Sequence, residues 1–496
     1  MTQTSGPGET AGALVFSLTR MYVRYSFAPM SAYVEKGHGP LLVAVCAGLF
    51  CMPFMMAGVS AVLPLLGEEL HATARELGLI GAAYALGLAM FQLGGGSMGD
   101  IWGYRRIFLW GTALFALTGA AQGFVPSVDL LLPLRFLQGV GGAILNACGL
   151  ALLASAAPEG RRAVYLGFSS ASISAGVACG PAVAGILADS LGWRWLFWGN
   201  ALLALAVLCL MNFFVQFERR PTPDRAFDWK GCSLYGLGMT ALTCGASLLA
   251  DRPLPAWGLL AAFGVMLAAF CLYEWSAKAP LLDLRLLGRS KIFALSALAS
   301  LVNYASLSGL VVFFSLYLHY GLGMSVREAG FLLALQSAVQ VLTTPLAARL
   351  CLKIKPGWVS GIGVFLCGQG VLAATLLRLD SSIWLFVAVQ TLLGIGISFF
   401  AMPNTTIMFG SAGPDHVGQA SGLNGAVRTG GQLFNLVLIT LTMSFFLHGQ
   451  SVRRETVGSF MSAMHLDLKI FGLLNALALI CILVRYHIFR KARSAA

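Results

Sequence analysis

Gly96-Ser97-Met98-Gly99-Asp100-Ile101-Trp102-Gly103-Tyr104-Arg105-Arg106 joins two long apolar runs, 77–98 and 107–124. Between those runs the stretch sets one acid, two adjacent cations and glycines at 96, 99 and 103. So short and charged a passage between apolar helices has two readings. In the first it is a gate: the glycines let two helix ends come close, and Asp100 accepts hydrogen bonds from the free amides that begin a neighbouring helix. In the second it is an ordinary turn whose Arg105 and Arg106 only fix the side of a membrane on which it lies.

Composition makes the flanking runs membrane spans. The 496 residues are 58% hydrophobic and 10% charged, with a mean hydropathy of +0.80, which suits repeated bilayer crossings and not a soluble domain. The net charge of +12 is scattered over many short turns. It therefore forms no basic face for nucleic acid. The eleven cysteines lie in or beside apolar runs without metal-ligand spacing, and read as small buried apolar residues. The first strong apolar run begins near Pro40 and is long enough to span, so no cleavable signal is expected. Before it, residues 11–30 mix apolar side chains with Arg20 and Arg24, as either an interfacial helix or an irregular tail.

Spanning candidates run 40–66, 77–99, 107–125, 128–157, 164–189, 193–215, 231–250, 255–276, 292–319, 328–350, 358–378, 382–409, 418–447 and 468–488. With the N-terminus inside, Lys and Arg number 22 in inward segments against 8 in outward ones. That bias places both termini in the cytoplasm. The Arg-, Pro- and Asp-rich segment 216–230 reads as a hinge. We therefore divide the chain into a cytoplasmic N-terminal segment 1–39, a six-helix bundle 40–215, a linker 216–291 carrying two inserted helices, a second six-helix bundle 292–488 and a cytoplasmic tail 489–496. The fold class is all-α integral membrane, with fourteen transmembrane helices. Pseudo-symmetric transporters use such paired six-helix bundles, with cargo at the interface.

Arg135 lies inside the fourth span, where an ionised side chain costs at least about 2.5 kcal/mol on insertion scales. It either serves cargo or proton coupling, or clamps carbonyls of neighbouring helices. The fifth span carries Gly176, Gly180 and Gly185 with Pro181, a small-residue face for close packing and a break in the hydrogen-bond ladder. It is a packing seam, a hinge, or both.

Taken together these stretches resemble the major facilitator superfamily, specifically its fourteen-span drug:proton antiporter branch. Gly96 to Arg106 is similar to that family's loop between spans two and three. Arg135 with Gln138 and Gly139 resembles its fourth-span motif, and Gly176 to Gly185 its fifth-span antiporter motif. Further agreement lies at Gly192 to Phe197 with Asn200, at Phe227 to Gly231, at Glu274 through Pro280 to Asp283, and at Gly418 to Asn424 with Arg428. The resemblance implies an alternating-access exporter of drugs or other amphipathic molecules, with no cofactor beyond proton coupling. In it Gly96, Asp100, Gly103, Arg105 and Arg106 form a conformational gate locking against the second bundle, with the start of the thirteenth span near Gly418 as the facing element. Arg135, Gln138 and Arg428 are the coupling candidates, and Gly176, Gly180, Pro181 and Gly185 the helix hinge.

One position departs from that pattern: Met55 stands where the branch carries a first-span acid. All twenty Asp and Glu fall in tails, turns or span ends, so no deep carboxylate replaces it, and proton coupling through that acid is not expected. Deep cations without deep acids suit an anionic or strongly polar cargo. The alternative function is thus a narrower carrier of an organic anion, metabolite or lipid. Tyr84, Asn146, Gln336, Gln340 and Asn404 are cavity candidates, each equally able to make a helix–helix hydrogen bond. Enzymes are excluded: there is no Gly-Lys-Ser/Thr nucleotide turn, no ligand-spaced His or Cys for a metal, and no nucleophile motif. A channel fits the two-bundle layout less well. The expected protein is a monomer in the inner (cytoplasmic) membrane, whose partners are a small-molecule substrate and the bilayer. Periplasmic or outer-membrane partners are left open.

Overall fold

Fourteen long helical segments follow the apolar runs closely. The computed structural model describes residues 38–494, apart from 73, 159, 218–225, 250–251, 325, 414–415 and 448–454, and among the described residues there is no strand. Residues 40–496 form one compact unit. The segment 11–30, for which an interfacial helix was one reading, lies outside the described residues. The helices are α1 (Gly39–Glu69), α2 (Ala74–Trp102), α3 (Tyr104–Gln122), α4 (Val128–Ala156), α5 (Arg162–Leu191), α6 (Arg194–Phe214), α7 (Trp229–Leu248), α8 (Pro253–Ser276), short α9 (Leu284–Arg289), α10 (Lys291–Leu307), α11 (Leu310–Leu316), α12 (Val326–Lys353), α13 (Pro356–Ala374), α14 (Ile383–Ala412), α15 (Val417–Leu447) and α16 (Val457–Ser494).

Among the described residues, twelve helical segments are long and apolar enough to cross a bilayer. The long helices outside that set are α3, with 19 residues, and α7, with 20. Large apolar side chains face outward on many helices: Leu117 on α3, Leu254 on α8 and Leu342 on α12 are at least 70% exposed. Such a surface suits hydrocarbon and not water. Three of the cysteines expected to be buried, Cys179, Cys209 and Cys271, share this outer surface.

In chain order the helices fall into two groups, α1–α6 and α10–α16, with α7–α9 between them. Within the first, α2 lies on α4 and α3 on α4 and α6; within the second, α13 lies on α14 and α10 on α15 and α16. Across the groups α2 meets α15, α4 meets α15, and α5 meets α12 and α14, while α7 and α8 pack on each other and α7 on α2. The turn from α2 to α3 needs only Gly103, at φ 93° and ψ 135°. Side chains avoid that conformation. Gly103→Ala should therefore cost about 1–3 kcal/mol, read as earlier thermal unfolding of the detergent-purified protein.

Two expected spans differ. The run 292–319 is not one helix: α10 ends at Leu307, a turn covers Ser308 and Gly309, and α11 leads into a π-helical turn, Tyr317–Gly321. The break has a cause on α15. Asn435 donates from Nδ2 to the Ala305 carbonyl, and a Cβ at Gly309 would collide with the Asn435 side chain. The last span, expected at 468–488, begins at Val457. Asp467 therefore sits about 15 Å inside α16 by helical rise and is fully buried, which corrects the expectation that no acid lies deep in a span. Its Oδ2 accepts the Thr442 hydroxyl, while Oδ1 has no partner among the described residues.

Candidate functional site

Asp100 ends α2 and reaches across to the first turn of α15. Its Oδ1 accepts the Gly418 amide at 3.1 Å and its Oδ2 the Gln419 amide at 3.1 Å. Tyr104, the first residue of α3, donates its hydroxyl to Oδ1, and the carboxyl is only 8% exposed. The first amides of a helix have no intrahelical acceptor and carry its positive dipole end, so a carboxylate is their fitting partner. The approach depends on missing side chains. A Cβ at Gly96 would collide with the Gly418 carbonyl, and one at Gly418 with the Gly96 carbonyl and with Asp100. One turn on, a Cβ at Gly422 would lie 3.0 Å from the Gln92 carbonyl. Beside it the Ser421 hydroxyl donates to the Ala147 carbonyl of α4 at 2.6 Å.

Arg105 and Arg106 depart from the expected lock. Arg105 donates through Nη2 to the carbonyls of Met211 and Asn212 at 3.3 and 3.1 Å, capping the end of α6 within its own group. Arg106 is exposed and lies over the Trp110 ring, 5.1 Å from its centroid. The hydrogen bonds from this turn to α15 are those of Asp100.

Arg135 is 1% exposed. Its Nη1 donates to Gln138 Oε1 at 2.8 Å, its Nε to the Ile80 carbonyl at 3.4 Å, and its guanidinium lies 4.7 Å from the centroid of Tyr84. Tyr84 in turn donates to the Met52 carbonyl at 3.4 Å. The carbonyl and amide acceptors expected of a clamp are thus present, and among the described residues no carboxylate joins them. Arg428 differs: it is half-buried on α15, within electrostatic reach of Tyr84 and Tyr304. No hydrogen bond or ion pair to it occurs among the described residues.

The fifth-span glycines divide. Cβ atoms at Gly176 and Gly180 would lie 2.6 and 2.8 Å from the Phe50 and Phe54 carbonyls of α1, whereas Gly185 has nothing within 4 Å. Helix α5 also continues through Pro181. The first two glycines form a seam against α1, and Gly185 takes no part in it. Met55 is fully buried in an apolar cluster with Met52, Phe54 and Tyr84, so apolar packing fills the place of the absent acid.

Among the cavity candidates, Asn404 is corrected: its Nδ2 donates to the Ser296 carbonyl and the Ser300 hydroxyl, each at 2.9 Å, and its Oδ1 accepts from Arg485. It is a fully buried structural hub. Asn146 is fully buried with neither side-chain atom partnered among the described residues. Gln336 and Gln340 are half-buried on α12. Arg485 was not singled out in the sequence. It is 3% exposed and donates to Ser296, Asn404 and Ser360; a cation inside the apolar run 468–488 was the available signal. At the other end of the first group, Glu69 of α1 accepts from Trp193 Nε1 and Arg194. Arg194 chiefly, then Trp193, holds its carboxyl below the usual range.

The family model described as Major Facilitator Superfamily matches residues 45–298 and 296–490. The tetracenomycin C resistance and export protein of Streptomyces glaucescens is 29% identical over 412 residues, 82% of this chain and 76% of that one. The cephamycin export protein CmcT of Amycolatopsis lactamdurans is 30% identical over 419 residues, 81% and 85% of the two chains. Among solved structures, the human organic anion transporter MFSD10 aligns with TM-score 0.67 at 14% identity, over 90% of this chain and all of that one. The proton:xylose symporter XylE aligns with TM-score 0.64 at 15% identity, over 91% and 95%.

Proposed function

Since the chain belongs to the major facilitator superfamily, and so is a multi-pass secondary transporter, we propose that it exports amphipathic small molecules by alternating access. Asp100 is the observation that carries this reading. It ties α2 to the start of α15 by two amide hydrogen bonds, as a seal between moving bundles requires. The orientation that goes with it places both termini, and this sealed end, on the cytoplasmic side of the inner membrane, with α3 and α7 completing fourteen spans. The division into bundles 40–215 and 292–488 around a linker is part of the same reading. Relatives named for export of tetracenomycin C and of cephamycin support the direction and the cargo class. The test is expression in a pump-deficient host. Raised tolerance to several structurally unlike toxic compounds supports the reading, and unchanged tolerance to all of them sinks it.

A second reading, an organic-anion carrier, is favoured by Arg428, a half-buried cation without an acceptor among the described residues. On that reading Arg428→Ala should raise the KM for anionic cargo by roughly tenfold, the value of one charge-assisted hydrogen bond, in proteoliposome uptake. Arg135→Ala should cost more, because it also strips the partner from Gln138. Uptake of anionic cargo unaltered in both variants would dismiss it.

A further inference from the structure

The foot of the α7–α8 pair holds two acids that neither the gate nor the cavity uses. Asp228 caps α7: its Oδ1 accepts the Gly231 amide at 2.8 Å and the Tyr273 hydroxyl at 3.1 Å. Glu274, on the last turn of α8, is fully buried and accepts the Leu282 amide on Oε2 at 3.2 Å. The remaining oxygens, Asp228 Oδ2 and Glu274 Oε1, have no donor among the described residues. Both lie against the bare Cα of Gly231, where a Cβ would strike each of them, so the two carboxyls meet at that glycine. Two ionised carboxylates in that position would repel and leave two lone acceptors buried; one proton between them removes both costs. Two oxygens are too few to hold a metal cation.

Among the described residues, the groups around the pair supply no positive charge. Tyr273 and Cys271 come from α8, and Cys232 and Tyr235 from α7. Lys230 and Lys278 are exposed, and Arg285 donates to the Trp275 carbonyl. Asp283 caps α9 through Oδ1, and His416 approaches Gln419 Oε1 at 3.3 Å.

The pair is connected to the seal by adjacent bonds. Leu282 donates to Glu274, the next amide, Asp283, donates to Gln419 Oε1 at 3.3 Å, and the Gln419 amide donates to Asp100. A second connection runs through α7: Phe227 stacks on Trp102 at 5.7 Å, and Cys232 fills the space beside Gly94 of α2.

We propose that Asp228 and Glu274 form one proton-binding site, and that its occupancy sets the strength of the Asp100 seal. With the proton in place, Glu274 holds the 281–283 turn against Gln419 and the seal stays shut. Without it, two like charges push Glu274 from Asp228, the turn shifts, and the Gln419 contact loosens. This rests on reading Gly96–Asp100 and Gly418 as a gate, and it provides a proton site in a chain with Met55 in its first span.

The test labels the end of α2 and the start of α15 with a spin pair and measures their separation in lipid nanodiscs, without cargo, from about pH 5 to about pH 9. The wild-type distance should be short at low pH and lengthen through one titration step. Glu274→Gln and Asp228→Asn, each placing a neutral donor in the pair, should stay short throughout, while His416→Gln keeps the wild-type step. An infrared band of a protonated carboxyl should be present in the wild type and absent in Glu274→Gln. A wild-type distance independent of pH, the same step in both carboxyl variants, or a step set by sodium at fixed pH would overturn the proposal. Because no cargo is present, failure of export with this titration intact would count against the exporter reading alone.

Discussion

Gly96→Val should all but abolish transport while leaving the protein folded in the membrane. The valine side chain has to occupy the position of the Gly418 carbonyl, so α2 and α15 separate. Separation by an ångström or two removes both amide hydrogen bonds to Asp100, each worth about 1.5–3 kcal/mol as a bond to a charged group. The sealed state then falls in population by about a hundredfold or more, and a cycle that visits it falls with it. Proteoliposome transport reads the loss, and a spin-label distance between α2 and α15 reads its cause. Gly199→Ala, at a position with nothing within 4 Å, should change neither. Asp100→Asn, which keeps one acceptor oxygen, should lie between wild type and Gly96→Val. Normal transport by Gly96→Val would remove the close approach from the mechanism.

The second large effect is on stability. Arg485→Ala deletes the donor shared by Ser296, Asn404 and Ser360 and so unties α10, α13, α14 and α16 at one point. Leaving buried polar partners unsatisfied costs roughly 1–3 kcal/mol each. The detergent-purified variant should unfold several degrees earlier, with Ser360→Ala showing a smaller drop. The transport that remains per folded molecule should keep the wild-type KM. A wild-type melting curve with lost transport would move Arg485 from the frame of the second bundle into the cargo path.

How far the sequence carried can be judged from particular residues. Helix positions were legible because an apolar run of about twenty residues has no other stable form in hydrocarbon. The facing element of Asp100 was legible too: a carboxylate at a span's end suits helix amides, and the resemblance supplied which ones. The anchoring of Arg105 on the end of α6 was not legible, because charge alone does not name the carbonyls it meets. Arg485 and Asp467 were missed for a related reason. Each lies near a margin of the apolar run 468–488, where hydropathy alone does not say whether a side chain meets water or protein, and helix α16 extends past both. The break at Ser308 and Gly309 left no trace in local pattern, since its cause, Asn435, is more than a hundred residues away. The meeting of Asp228 with Glu274 is likewise tertiary: neither acid's neighbours in sequence announce the other.

The fastening of α2 to α15 joins a side chain to the peptide backbone. Any residue but proline at 418 or 419 has the same amide to offer, so drift on α15 is limited by bulk at Gly418 and by the need for that N–H, not by side-chain chemistry. For the same reason a charge reversal at Asp100 has no compensating partner elsewhere. A lesion there can be reverted but not suppressed by a second exchange of charge, and a screen for suppressors of Asp100→Lys should return revertants of that codon.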